Sequence, residues 1–243
     1  NSPFNSQIKI YKDKFYVIDF ENTLTAYTIK DGKKVWNNKT QASSVRSQKK
    51  LSIVIVEEKI YFNNSLGDIS CIDINSGNLI WQTPTQTNLV YNMEFFLKTS
   101  DIVADKGALF FSNNQNQFFS LDMQTGNLNW QQEINSNVRP TVVNNFIFTV
   151  SLEGYLIILE KNSGNILRIN DVFKKFKTKK RSNIKPTGFI VGTKNIYLST
   201  DNGRLLVINI NTGTTESILK IDNKKISRPT IVNKNLYVIS NNS

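Results

Sequence analysis

The chain has 243 residues, of which 39% are hydrophobic, with 30 Lys and Arg against 19 Asp and Glu, no histidine, and one cysteine, Cys71. The lack of histidine excludes a His-containing triad and His-ligated metals, and one cysteine excludes an intrachain disulfide and the usual thiolate zinc cages. No apolar run approaches the ~18 residues of a membrane-spanning helix, and a large share of the net charge of +11 falls in one run, KKFKTKKR at 174–181.

In chain order, the leader NSPFNSQ lacks the basic segment, apolar core and small-residue cleavage site of an export signal, which is expected to lie outside this sequence. It runs into IKIY and KFYVIDFENTLTAYTIKDGKKVW, which reads strand, turn, strand, turn, strand. A polar crossing, NNKTQASSVRSQKK, leads to the buried-strand run LSIVIV and a second unit ending in IDINSGNLIW. The insertion at 84–100, PTQTNLVYNMEFFLKTS, gathers Tyr91, Met93, Phe95, Phe96 and Leu97. In a chain with otherwise polar connections it is the candidate partner contact; the competing reading is that these side chains cap a neighbouring unit. The third unit, GALFFSNNQNQFFSLDMQTGNLNW, is the clearest, and NFIFTVSLEGYLIILEKNSGNILR follows it. A second insertion, 170–183, carries the basic loop Lys174, Lys175, Lys177, Lys179, Lys180 and Arg181, with Phe173 and Phe176 among the charges. One such loop falls short of the groove and row of stacking platforms that single-stranded nucleic acid requires, so it is read as a solvated loop and no nucleic-acid partner is expected. A fifth unit, KNIYLSTDNGRLLVININ, and the start of a sixth, SRPTIVNKNLYVIS, complete the chain.

These units share one grid. The turn glycines Gly32, Gly77, Gly126, Gly164 and Gly213 are 45, 49, 38 and 49 residues apart, a spacing that belongs to propellers and solenoids. Sixteen residues before each stands an aromatic: Tyr16, Tyr61, Phe110, Phe148 or Tyr197. Ten before stands Asn22, Gly67, Asn116, Gly154 or Gly203, residue types suited to a tight hairpin. Leu24, Ile69, Phe118, Leu156 and Leu205, eight before, are expected to point into the core. A short strand precedes the later units, in VRPTVV, IKPTGFIV and SRPTIV, so each unit has about four strands, one propeller blade. The fold class expected is an all-β propeller of four-stranded blades, with five complete blades and about half of a sixth. The whole chain is read as a single domain, incomplete at its C-terminal end and part of a larger ring of about eight blades.

Asp73, Asn75 and Gly77 invite a calcium reading, but an EF-hand loop places glycine sixth and glutamate twelfth, and here glycine is fifth. They are turns, in which the Asp accepts backbone N–H groups. Four residues after the glycine stands Trp36, Trp81 or Trp130, replaced by Arg168 and Ser217 in the last two full units. The segments LDMQTGNLNW and IDINSGNLIW resemble the pyrroloquinoline-quinone-like propeller repeat, and the resemblance covers essentially the whole chain.

That resemblance implies that Trp36, Trp81 and Trp130 are blade-docking residues, largely buried between blades. Quinoprotein dehydrogenases of this group hold their cofactor and calcium with an apparatus that commonly includes adjacent cysteines, which one cysteine cannot supply. The chain is therefore more similar to the non-catalytic branch typified by BamB of the outer-membrane β-barrel assembly machinery. The implied role is a periplasmic, bacterial scaffold that binds BamA and unfolded outer-membrane proteins, with no catalytic, cofactor-binding or metal residues. Lipoproteins of this type are acylated on an N-terminal cysteine, so membrane association is expected only through an anchor outside this sequence. The alternatives are part of a quinoprotein dehydrogenase and a sensor or polysaccharide-associated propeller.

Overall fold

A computed structural model describes residues 2–40, 49–85 and 97–240. The first blade comprises β1 (Lys9–Tyr11), β2 (Lys14–Ile18), β3 (Thr23–Thr28) and β4 (Lys34–Lys39), and the second β5 (Ile53–Val56), β6 (Lys59–Asn63), β7 (Ile69–Asp73) and β8 (Leu79–Thr83). The third holds β9 (Val103–Asp105), β10 (Ala108–Asn113), β11 (Gln117–Asp122) and β12 (Leu128–Gln132). The fourth holds β13 (Thr141–Val143), β14 (Phe146–Val150), β15 (Tyr155–Glu160) and β16 (Ile166–Asp171). A short helix, α1 (Thr178–Arg181), precedes the fifth blade: β17 (Pro186–Val191), β18 (Asn195–Thr200), β19 (Arg204–Asn209) and β20 (Thr215–Lys220). Strands β21 (Thr230–Val232) and β22 (Asn235–Tyr237) form a two-stranded sheet. Each complete blade is an antiparallel meander in sequence order, so the architecture is a partial all-β propeller of five full blades and half of another.

Innermost strands meet across consecutive blades, β1 with β5, β5 with β9 and β9 with β13, which places the first strand of each blade at the axis. The remaining strands radiate outward. Their alternation of side chains then decides which neighbour each residue faces. In β6, Ile60 and Phe62 pack towards the first blade while Tyr61, between them, packs towards the third together with Cys71. The four apolar clusters are accordingly four seams, each shared by two successive blades. Burying a side chain such as Phe62 fully contributes about 1.5–3 kcal/mol, so each seam is held by many such terms.

Local chemistry repeats with the blades. Every pairing of third with fourth strand shifts register at one equivalent place: Ala26/Tyr27, Cys71/Ile72, Ser120/Leu121, Ile158/Leu159 and Val207/Ile208. Asn22 and Asn116 turn their hairpins at φ 61 and 57, and Gly67, Gly154 and Gly203 do so at the same position. Among the described residues no helix is long and apolar enough to cross a membrane.

Candidate functional site

The seams are closed by side chains of the outermost strands. Trp36 on β4 donates its indole N–H to the carbonyl of Ile74 at 3.1 Å, Trp81 on β8 to that of Met123 at 3.2 Å, and Trp130 on β12 to that of Lys161 at 3.0 Å. Each accepting residue lies three before the next blade's turn glycine. The indole also lies flat against that glycine: a Cβ at Gly77 would come within 2.6 Å of Trp36, and one at Gly164 within 2.5 Å of Trp130. The aromatic residue of the second strand backs each indole, with ring centroids 5.8 Å apart for Tyr16 and Trp36, 5.9 Å for Tyr61 and Trp81, and 6.0 Å for Phe110 and Trp130. Trp130 is buried, whereas Trp36 and Trp81 are half-buried. The difference has a local cause: Phe118 stacks on Trp130 at 5.8 Å and 14°, where the earlier blades carry the smaller Leu24 and Ile69.

Where the indole lapses, Arg168 on β16 donates to the carbonyls of Asn211 at 2.6 Å and Ile210 at 3.4 Å, and Ile210 stands where Ile74, Met123 and Lys161 stand in the other blades. Asn170, not an aromatic ring, packs against Gly213. Ser217, in the fifth blade, is exposed. The third and fourth blades are further joined by the Lys161 ammonium, 2.8 Å from the Asp105 carboxylate.

The turn acids are occupied by their own backbones. Asp73 Oδ1 accepts from the N–H groups of Asn75 and Ser76 and the Ser76 hydroxyl, and Asp122 Oδ1 does the same with Gln124 and Thr125. These bonds, the backbone N–H of Ser76 or Thr125 foremost, hold both carboxyls below the usual range. Burial pushes the Cys71 thiol up to about 11. Among the described residues no three His, Cys, Asp or Glu side chains converge as metal ligands.

The loops that join one blade to the next share a face with the hairpins between second and third strands. The described residues Leu97 and Phe173, one from each insertion, pack against hairpins of that face. In the first, Tyr91, Met93, Phe95 and Phe96 fall outside the described residues, while Leu97 is buried against the hairpin at Gly67, where an added Cβ would come within 2.9 Å of it. Leu97 thus packs inward. In the second, Phe173 is part of the core and not of a solvated loop: Gly154 leaves the space its ring fills, and Phe176 packs edge-on against it at 5.4 Å. The Phe173 ring is thereby enclosed, and Phe176 is half-buried against it. Lys174, Lys175, Lys177, Lys179 and Lys180 are exposed, although Lys175 donates to the Glu216 carbonyl at 2.7 Å. Arg181 instead folds back onto the Asp171 carboxylate at 2.6 Å.

The family model described as outer membrane protein assembly factor BamB matches residues 1–170, which span the first four blades almost to their end. The chain belongs to this BamB family. Among solved structures it is similar to BamB from Moraxella catarrhalis, at 17% identity and a TM-score of 0.60, over 98% of this chain and 83% of that one. It is also similar to the quinohemoprotein alcohol dehydrogenases of Comamonas testosteroni (12% identity, TM-score 0.68, 90% of this chain and 43% of that one) and of Pseudomonas putida HK5 (12%, 0.66, 90% and 42%). The chain therefore spans less than half the length of these two enzymes, and at such identities the likeness is one of fold. No curated protein matches the chain.

The sequence reading missed the axial residues. Lys49 Nζ donates to the carbonyls of Thr99 and Asn137, both at 2.9 Å, and so ties the second, third and fourth blades together at the centre. The signal that could have found its neighbours is a basic residue written before Pro-Thr at the start of three inner strands.

Proposed function

We propose that this protein is a non-catalytic scaffold of the outer-membrane barrel-assembly machinery, working in the periplasm by surface recognition, with BamA and unfolded outer-membrane proteins as its partners. The observation that carries this reading is the BamB family match over four consecutive blades. The repeat chemistry within that span supports it, because the indoles and Cys71 are engaged in the seams between blades and the turn carboxylates in their own turns. What remains for recognition is the loop-bearing face, and the 84–100 insertion is the proposed contact on it.

The test is binding of the full-length parent protein to the soluble periplasmic domains of BamA from the same organism. Saturable binding is expected, weakened in a Phe95→Ser/Phe96→Ser variant whose melting temperature is unchanged; absence of binding by the parent protein would reject the scaffold reading. A second reading, a quinoprotein dehydrogenase, is favoured by the fold likeness to the two alcohol dehydrogenases. Saturable uptake of pyrroloquinoline quinone with calcium by the parent protein, accompanied by alcohol oxidation, would put that reading in its place.

A further inference from the structure

Three inner strands begin with the same kind of triplet: Arg139-Pro140-Thr141, Lys185-Pro186-Thr187 and Arg228-Pro229-Thr230. The proline has a structural reason, since it has no N–H to leave unpaired at the start of an edge strand. Two of the three cations before it reach a neighbouring backbone: Lys185 Nζ donates to the Leu152 carbonyl at 3.5 Å, and Arg228 Nε to that of Phe189 at 2.9 Å. The fold carries all three cations to one place. Arg139, Lys185 and Arg228 line a cavity of about 640 Å³ at the axis, and Lys49, Lys98 and Lys225 line it as well. The carboxylates in the same lining are Asp101 and Asp201.

Those two carboxylates are already engaged. Asp101 lies 3.7 Å from Lys49 Nζ, and Asp201 Oδ1 accepts the backbone N–H of Lys185 at 2.9 Å. Arg228 is clamped in position: its Nε donates to the Phe189 carbonyl at 2.9 Å, and its Cβ rests where a Cβ on residue 188 would be, 2.5 Å away, so that only glycine fits there. Burial, and next the charge of Arg139, hold both Arg228 and Lys9 of the first blade below their ordinary ranges, with Asp101 opposing. The cations therefore act on one another across the axis. A surplus of positive charge gathered around one cavity is relieved by an anion with several charges, and the volume suits a small molecule, for which pockets of roughly 300–1,000 Å³ are usual.

We propose that this axial cavity binds a small multivalent oxyanion, a di- or tricarboxylate or a pyrophosphate-type phosphate, through Arg139, Lys185, Lys225 and Arg228. The proposal does not rest on the scaffold reading: Arg139, Lys185, Lys225 and Arg228 all lie outside the 84–100 insertion, although Lys98 of that insertion also lines the cavity.

The probes are citrate and pyrophosphate, titrated calorimetrically into the full chain at constant ionic strength, with acetate as the monovalent control. Saturable binding of at least one probe is expected, with acetate weaker by tenfold or more. Arg139 and Lys225 are exposed, so Arg139→Gln/Lys225→Gln should fold, which circular dichroism checks. It should bind the probe at least tenfold more weakly. Lys179→Gln/Lys180→Gln removes the same charge from α1, outside the cavity, and should bind as the parent does. The proposal is overturned if neither probe binds, as would be the case were the cations reserved for acidic side chains of a partner. Equal weakening by both double variants, the mark of a general charge effect, would overturn it too.

Discussion

Replacing Trp130 by Ala removes the most enclosed of the three indoles, together with its bond to the Lys161 carbonyl and its stack on Phe118. Trp-to-Ala changes in a core cost about 3–5 kcal/mol. At about 2–4 °C per kcal/mol for a chain of this size, the melting temperature should fall by roughly 10 °C. The geometry allows a sharper test through Gly164, whose φ is +73 and whose absent Cβ would come within 2.5 Å of the indole. In the parent, Gly164→Ala meets two penalties: about 1 kcal/mol or more for a positive φ, and about 1–3 kcal/mol for overpacking against Trp130. With residue 130 already Ala, the second penalty disappears. Urea denaturation of the parent, the two single variants and the double variant should therefore give a coupling of about 1–3 kcal/mol, the double variant being more stable than the sum of the singles implies. Additivity to within about 0.5 kcal/mol would mean that the indole and the glycine are not in contact, and the account of the seam would fail.

Cys71 is buried in the seam of the second and third blades with its thiol raised to about 11, so Ellman's reagent at pH 8 should leave it unmodified in the native protein and modify it fully in denaturant. Rapid native labelling would contradict this packing. Asp73 and Asp122 are depressed below the unfolded aspartate value of about 3.9, so their turn bonds stabilise the fold fully above that value and are lost as pH falls through the lower folded values. Carboxyl carbon titrations should place both midpoints below about 3.9, and midpoints at or above it would refute the turn geometry. Arg168→Leu removes the donations to Asn211 and Ile210; because the side chain is exposed, a loss of only about 1 kcal/mol is expected in urea denaturation. A loss as large as that of Trp130→Ala would show that the fourth seam is built differently.

The blades were legible in the sequence because their signals are local. A hairpin turn at Asn116 and an aromatic two strands ahead of Gly126 lie within one blade, and the alternation of Phe110 and Phe111 follows from strand geometry alone. The site was less legible, for two physical reasons. The first is that a role can pass between unlike residues: Arg168 delivers its donor to the carbonyl that an indole reaches elsewhere, so a search for tryptophan sees a lapse where the structure has a substitute. Phe173 is a related case, since its basic neighbours suggest solvent while the space beside Gly154, in a different hairpin, draws the ring inward. The second reason is that the axis collects one or two residues from each blade. Lys49, Asp101, Arg139, Lys185 and Arg228 are dispersed through the chain, on segments read as polar crossings or as short first strands, and only the radial arrangement of blades turns them into neighbours. A propeller hides its centre from the reader of its sequence for the same reason that it can vary that centre freely. The seams that hold the blades make few demands on residues that face the axis; Arg228 is held there by Gly188 and the Phe189 carbonyl, but packing on its own does not explain why cations from three blades converge on one cavity.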